Sequence, residues 1–192
     1  MKKAIILLGL LSSTLSLCGQ APKEEYSYWG PFEEVVNPVD EYRSLIDDIR
    51  DWDDIRTITG ADSLGPTVVR YFIFEDEIKY IEYYHTGERR YFIDTFYPKG
   101  KQLVAATSHT YHYSEDIPWH KLPDIWDYPS YGISKDLIAE SFFTITYYSN
   151  GEAIHQLASG DCAGVLMDEY LDEVEAFEVA EMKRLFGLFR KY

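Results

Sequence analysis

The chain of 192 residues has only two cysteines, Cys18 and Cys162. One of them falls in the leader described below, so no internal disulfide can hold the fold together, and stability must come from packing. His-Glu-x-x-His and Cys-x-x-Cys spacings are missing, which removes the common zinc patterns. There is no Gly-x-Ser-x-Gly elbow to present a serine nucleophile. Past the N-terminus no apolar run is long enough to cross a bilayer. Positive charge is also scarce: 18 Lys and Arg stand against 33 Asp and Glu, a formal net charge of −15. Every carboxylate lies downstream of Lys2 and Lys3, so a chain without those two lysines carries −17. Such a surface repels phosphate backbones and argues against nucleic acid as a partner. It suits cations or a basic protein.

Aromatic residues are plentiful by contrast. They make up 16% of the chain, with 17 Tyr among them, and large rings can supply the packing that disulfides do not.

The N-terminus reads as an export signal over residues 1–19. Lys2 and Lys3 give the positive start, Ala4 to Leu11 an apolar run shorter than a membrane span, and Cys18-Gly19 a small-residue end. Two processing routes fit. Cleavage after Gly19 leaves a soluble product in the periplasm or outside the cell. Alternatively, Leu15-Ser16-Leu17-Cys18 resembles a bacterial lipobox, which would lipidate Cys18 and anchor the chain to a membrane; Leu17 departs from the small residue which that motif prefers. Residues 20–36 read as a tether, and 37–192 as a single domain of a size that can bury a core.

Asn37-Pro38 is an N-cap followed by proline at the first helical position, and Val39, Tyr42, Leu45, Ile46 and Ile49 then recur at helical spacing. From Thr67 the period drops to two. TVVRYFIFE, EIKYIEYY, ERRYFIDTF, KQLVAATSHTYHY, SFFTITYY and EAIHQLA are strand-like runs rich in β-branched and aromatic residues. YYHTGERR, FYPKGKQL and YYSNGEAI share an outline, aromatic-Tyr-x-x-Gly-Glu/Lys, and each glycine falls between two such runs. Gly87, Gly100 and Gly151 are therefore read as hairpin glycines, Asn150-Gly151 most clearly, because Asn-Gly favours a type I′ turn.

Across residues 67–158 these hairpins resemble the Tyr-x-Asn-Gly turns of MORN-like repeat proteins, and of uncharacterised exported bacterial proteins that build a meander this way. The spacing from Gly87 to Gly100 and then to Gly151 is too uneven for a regular array. The resemblance implies an antiparallel meander and no particular activity.

Between the fourth and fifth runs lies SEDIPWHKLPDIWDYPSYGIS (114–134). Its three prolines exclude a central strand or a long helix. Trp119, Trp126, Tyr128 and Tyr131 make it a candidate contact surface for a protein or glycan, or else a cover folded back over the sheet. A last helix is expected from about Asp161. Leu166, Tyr170, Val174 and Phe177 mark its apolar face early, and Met182, Leu185, Phe186 and Phe189 late. Its charge runs from acidic to basic, complementing the helix dipole.

Catalytic and metal chemistry find little purchase. His109 and His112 are three apart on a strand and so face opposite sides. His120 and His155 could meet only through tertiary structure. DDIRDWDDIR (47–56) has the carboxylates for calcium but neither the alternation nor the central glycine of an EF-hand loop, and reads as a solvated helix face. Cys162 with His155 offers a weak thiol–base pair. Glu82 and Asp94, inside strand-like runs, would become candidate acids if buried.

The expected fold is α+β: an antiparallel meander of about six strands flanked by an N-terminal helix and a longer C-terminal one. Helix packing is expected on one sheet face, with a Tyr-rich face left open. The expected function is a non-catalytic envelope protein that binds a protein or glycan through the 117–131 loop, without cofactor or metal. Two alternatives stand beside it: an acidic inhibitor or immunity-type protein against a basic partner, and an envelope hydrolase with a carboxylate or His-centred site.

Overall fold

The computed structural model describes residues 33–61, 65–87, 90–113, 138–159 and 168–192. All of these elements fall in one compact unit, Phe32–Tyr192. Helix α1 (Glu33–Asp47) is followed by seven strands: β1 (Asp54–Ala61), β2 (Pro66–Phe74), β3 (Glu77–Gly87), β4 (Arg90–Lys99), β5 (Gln102–Tyr113), β6 (Ile138–Ser149) and β7 (Glu152–Ala158). Helix α2 (Asp168–Phe189) comes last. The strands lie in one sheet in chain order, each pairing antiparallel with the next, so the α+β meander expected from the alternation is what forms.

Three boundaries differ from the sequence reading. The helix starts at Glu33, so residues 33–36 of the expected tether belong to α1, and Pro38 lies inside the helix rather than at its first position. Glu34, whose carbonyl Pro38 cannot serve as a donor, is exposed, which keeps that loss small. The acidic run 47–56 is not one helix face: α1 ends at Asp47, and Asp54 opens the additional strand β1. Two of its carboxylates make specific bonds. Asp47 Oδ1 accepts the Tyr97 hydroxyl at 3.1 Å, and Asp53 Oδ2 accepts the Glu75 N–H at 2.6 Å.

Both sheet faces are packed, which corrects the expected open Tyr-rich face. On one face α2 lays Met182 and Leu185 against Val69, Tyr71, Ile81, Tyr83, Phe96, Leu103, Ala106 and Tyr148. On the other, α1 lays Val39 and Ile46 against Tyr97, Ala105, Ile145 and Tyr147. Phe96 and Tyr97 are successive residues and go to opposite clusters, as the two-residue period of a strand requires. A third cluster, Val68, Tyr84, Tyr91 and Tyr113, shares the face of α1. The rings therefore supply core volume. The packed stripe of α2 also differs from expectation: Tyr170 is 44% and Phe177 67% exposed, while Glu178, Val179, Met182 and Leu185 turn inward.

Turn chemistry follows the sequence at two of the three motif glycines. Asn150 and Gly151 have φ of 54° and 91°, the pair of positive values that a type I′ turn needs, and Gly100 has φ of 64°. Gly87 instead closes β3 as a ladder residue opposite Arg90. The β2–β3 hairpin has no glycine, yet Glu75 and Asp76 take φ of 54° and 59°. Left-handed backbone costs an ordinary L-residue roughly 1–2 kcal/mol. Changing Glu75→Asn together with Asp76→Gly is therefore expected to raise stability by about 1 kcal/mol. A urea melt of the double variant checks this, and an unchanged midpoint would remove the argument.

Candidate functional site

The sequence directs attention to carboxylates withdrawn from solvent, and three half-buried ones stand out. Glu82, on β3, lies between Tyr80 and Tyr84 on the α1 side of the sheet. The Tyr80 hydroxyl donates to Oε1 at 3.1 Å and the Tyr84 hydroxyl to Oε2 at 2.5 Å. Burial pushes the Glu82 carboxyl above its ordinary value, while the two hydroxyls and the Arg70 guanidinium pull the other way. Arg70 also stands over the Tyr84 ring, 5.7 Å from its centre.

On the opposite face, Asp94 Oδ2 is 2.7 Å from His85 Nε2, with the two side chains 15% and 20% exposed. His85 is stacked between Tyr83 and Phe92, both ring centres 4.6 Å away, so packing sets the plane of its ring. Glu178 descends from α2 beside them. It accepts the Thr146 hydroxyl on Oε1 at 3.0 Å and the Tyr148 hydroxyl on Oε2 at 2.6 Å, and Gln156 Nε2 donates to Thr146 Oγ1 at 2.9 Å. Burial first, and the nearby Asp94 charge after it, push the Glu178 carboxyl up to about 7, against the two hydroxyl bonds.

A His–carboxylate pair beside a carboxyl that titrates near neutrality has the composition of a general acid–base centre. Asp94, a candidate acid on sequence grounds, is half-buried with His85 as its partner. The hydrogen bonds nevertheless point inward. Both oxygens of Glu82 and both of Glu178 already accept protein hydroxyls. Glu82 is held within its own strand, whereas the carboxylates of α2 tie elements together: Glu178 joins α2 to β6, and its neighbour Glu175 joins α2 to β7 by accepting the Ala153 N–H at 2.8 Å.

Trp119, Trp126, Tyr128, Tyr131, His120, Cys18 and Cys162 lie outside the described residues. His109 and His112 fall on opposite faces, His109 beside Phe143 with ring centres 4.5 Å apart and His112 beside Phe142 at 5.3 Å. Burial lowers the imidazoles of His109 and His155 from their ordinary value. Among the described residues no group of three or more His, Cys, Asp or Glu is placed to hold a metal ion. None of the helices among them is long and apolar enough to cross a membrane.

What remains is the surface carried by α1 and the turn after it. Residues 40–54 contain seven carboxylates and two arginines. Of the arginines, Arg43 is bound to Asp40 at 3.0 Å, while Arg50 reaches Asp48 only at 3.8 Å with both side chains 80% exposed. A shallow hollow on the outer side of α1 is lined by Asn37, Asp40, Glu41, Ser44, Leu45 and Asp48. Leu45, which periodicity assigned to the packed face, is 68% exposed and forms the apolar part of this acidic surface. The β2–β3 turn adds Glu75, Asp76 and Glu77.

Comparison with protein-family models, with curated proteins and with solved structures gives no match to this chain.

Proposed function

We propose that this chain is a non-catalytic, exported binding module whose partner is a protein with a basic surface. The observation that carries the reading is the outer side of α1, where an exposed Leu45 is ringed by Asp40, Glu41 and Asp48. A lone exposed leucine needs no explanation. One set among carboxylates, on a chain of net charge −15, has the make-up of a small apolar contact with a steering rim. The half-buried acids support the same reading, because the oxygens of Glu82 and Glu178 are engaged within the protein. The aromatic loop 117–131 enters the proposal as a second contact, on sequence grounds, and the envelope as the place, on the strength of the leader.

The test is capture from an envelope extract on immobilised residues 20–192, followed by binding kinetics with the captured protein. Association is expected to slow about tenfold between 20 mM and 200 mM salt, since steering between unlike charges is screened over that range. Asp48→Lys with Asp51→Lys is expected to weaken that salt dependence. Trp119→Ala with Trp126→Ala should speed dissociation and leave the salt dependence alone. Binding that is indifferent to salt would defeat the charge-based reading.

A further inference from the structure

The two edges of the sheet are treated differently. At β7 the Ala153 N–H is taken by Glu175 Oε2 at 2.8 Å, and α2 packs along the strand. At the other edge β1 pairs, among the described residues, with β2 alone. Proteins usually blunt such an edge with lysine, proline, a bulge or brevity. β1 has none of these. Its eight residues, DIRTITGA, contain neither Lys nor Pro, and its ladder with β2 runs without a register shift, whereas β2–β3, β4–β5, β5–β6 and β6–β7 each contain one. Ile55, Thr57, Ile58 and Thr59 are β-branched and suit pairing on both faces. Ile55 is 49% exposed and only Arg56 and Ile58 of the strand are half-buried. About half of the residues of such an edge direct their N–H and C=O away from the sheet.

The charge around this edge is one-sided. Its Asp54 end is surrounded by exposed Asp51, Asp53, Glu75, Asp76 and Glu77. Their cations are committed: Arg56 reaches Asp54 at 3.5 Å and lies over the Phe189 ring at 4.4 Å, and Lys79 holds Glu77 at 2.6 Å. A second copy of β1 pairing antiparallel would set its uncharged Gly60-Ala61 end against these carboxylates and neutralise none of them.

We infer that β1 is a docking edge for an extended basic segment of the partner, which adds antiparallel as an eighth strand and brings Lys or Arg at its C-terminal end to the Asp51–Asp54 and Glu75–Glu77 carboxylates. The inference rests on the proposal of a basic partner and names the element that receives it. Main-chain bonds along β1 provide the attachment. Ile55 and Thr57 select apolar or β-branched side chains at alternate positions of the incoming strand, and the acidic end fixes its direction.

The test uses a phage-displayed library of random 12-residue peptides selected on residues 20–192. Selected peptides are expected to combine β-branched residues with Lys or Arg towards the C-terminus. They should slow amide exchange at alternate residues of β1 at least tenfold, with the protein remaining monomeric by light scattering. An N-methylated copy of the best peptide keeps every charge and loses its donors, and is expected to lose binding at least tenfold. Asp51→Lys with Asp54→Lys should lose it to a similar degree. Peptides that protect α1 or another element, an N-methylated copy that binds equally, a selection without basic enrichment, no selected peptides, or a dimer paired through β1 would each overturn the inference. Salt-sensitive capture of a basic protein that leaves the β1 amides unprotected would overturn it and leave the proposed function standing.

Discussion

Stability is expected to fall as the pH rises from 5 to 8, and Glu178→Gln is expected to remove most of that fall. Folding places the Glu178 carboxyl against Tyr148 and Thr146, with Asp94 nearby, and raises it from its ordinary 4.5 to about 7. A carboxyl raised by folding binds its proton more tightly in the native state than in the unfolded one. The stability this confers is complete below pH 4.5 and is lost as the pH climbs through about 7. At about 1.4 kcal/mol per pH unit between those values, the loss comes to about 3 kcal/mol. Glutamine keeps an oxygen for one of the hydroxyls and never ionises, so the variant should match wild type near pH 5 and exceed it at pH 8. Urea melts at four pH values give the slope directly, and a carboxyl carbon titration by NMR assigns it. Should wild type prove equally stable at pH 5 and pH 8, burial of Glu178 would not carry the energy claimed here. Glu82, raised in the same direction, is a second contributor, and Glu82→Gln should remove part of the residual slope.

The meander was legible because the chain writes it in a short-range code. Alternation over β2 to β7, broken by Gly100-Lys101 and Asn150-Gly151, leaves few other folds open. β1 was hidden by its own N-terminal flank: the aspartates at 47–54 mask the alternation of Ile55, Thr57 and Thr59 that follows. The β2–β3 turn was legible only as a gap between strands, since Glu75-Asp76 adopts left-handed backbone without the glycine that signals it.

The half-buried acids were harder to see for a different reason. Large apolar side chains sit on both faces of β3, Tyr80 and Tyr84 on one side and Ile81 and Tyr83 on the other, so polarity alone does not say which way a glutamate points. The signal that was present is local: Tyr80-x-Glu82-x-Tyr84 puts a hydroxyl on each side of one carboxylate at the i±2 spacing of a strand face. Glu178 had a comparable signal. It falls four residues after Val174 and four before Met182, and so lies on the apolar stripe of α2 rather than beside it. Tracing that stripe through Tyr170 and Phe177 conceals it, and both rings are exposed. The surface proposed to bind was legible as charge and illegible as shape. No periodicity foretells that α1 turns Leu45 outward while Val39 and Ile46 turn inward.

Tyr71→Ala is expected to cost about 3–5 kcal/mol, the usual range for removing a fully buried aromatic side chain. Tyr71 is the joint between α2 and the sheet. It is 0% exposed, its hydroxyl donates to the Leu185 carbonyl at 2.8 Å, and its ring lies 5.0 Å from that of Phe189. Burial raises its phenol to about 12, so the hydroxyl stays a donor throughout the working pH range. Tyr71→Phe separates the two contributions. It keeps the ring and removes one bond to a helix carbonyl, for which about 1 kcal/mol is expected. If α2 is held mainly by apolar contact, the alanine variant should lose several times more than the phenylalanine variant in urea melts, and amide exchange in α2 should quicken before that in β3 and β4. Equal losses from the two variants would mean that the hydrogen bond, and not the ring, anchors the helix. An exchange pattern in which α2 and the central strands open together would place α2 in the same cooperative unit as the sheet, with Met182 and Leu185 as indispensable to the sheet as its own strands.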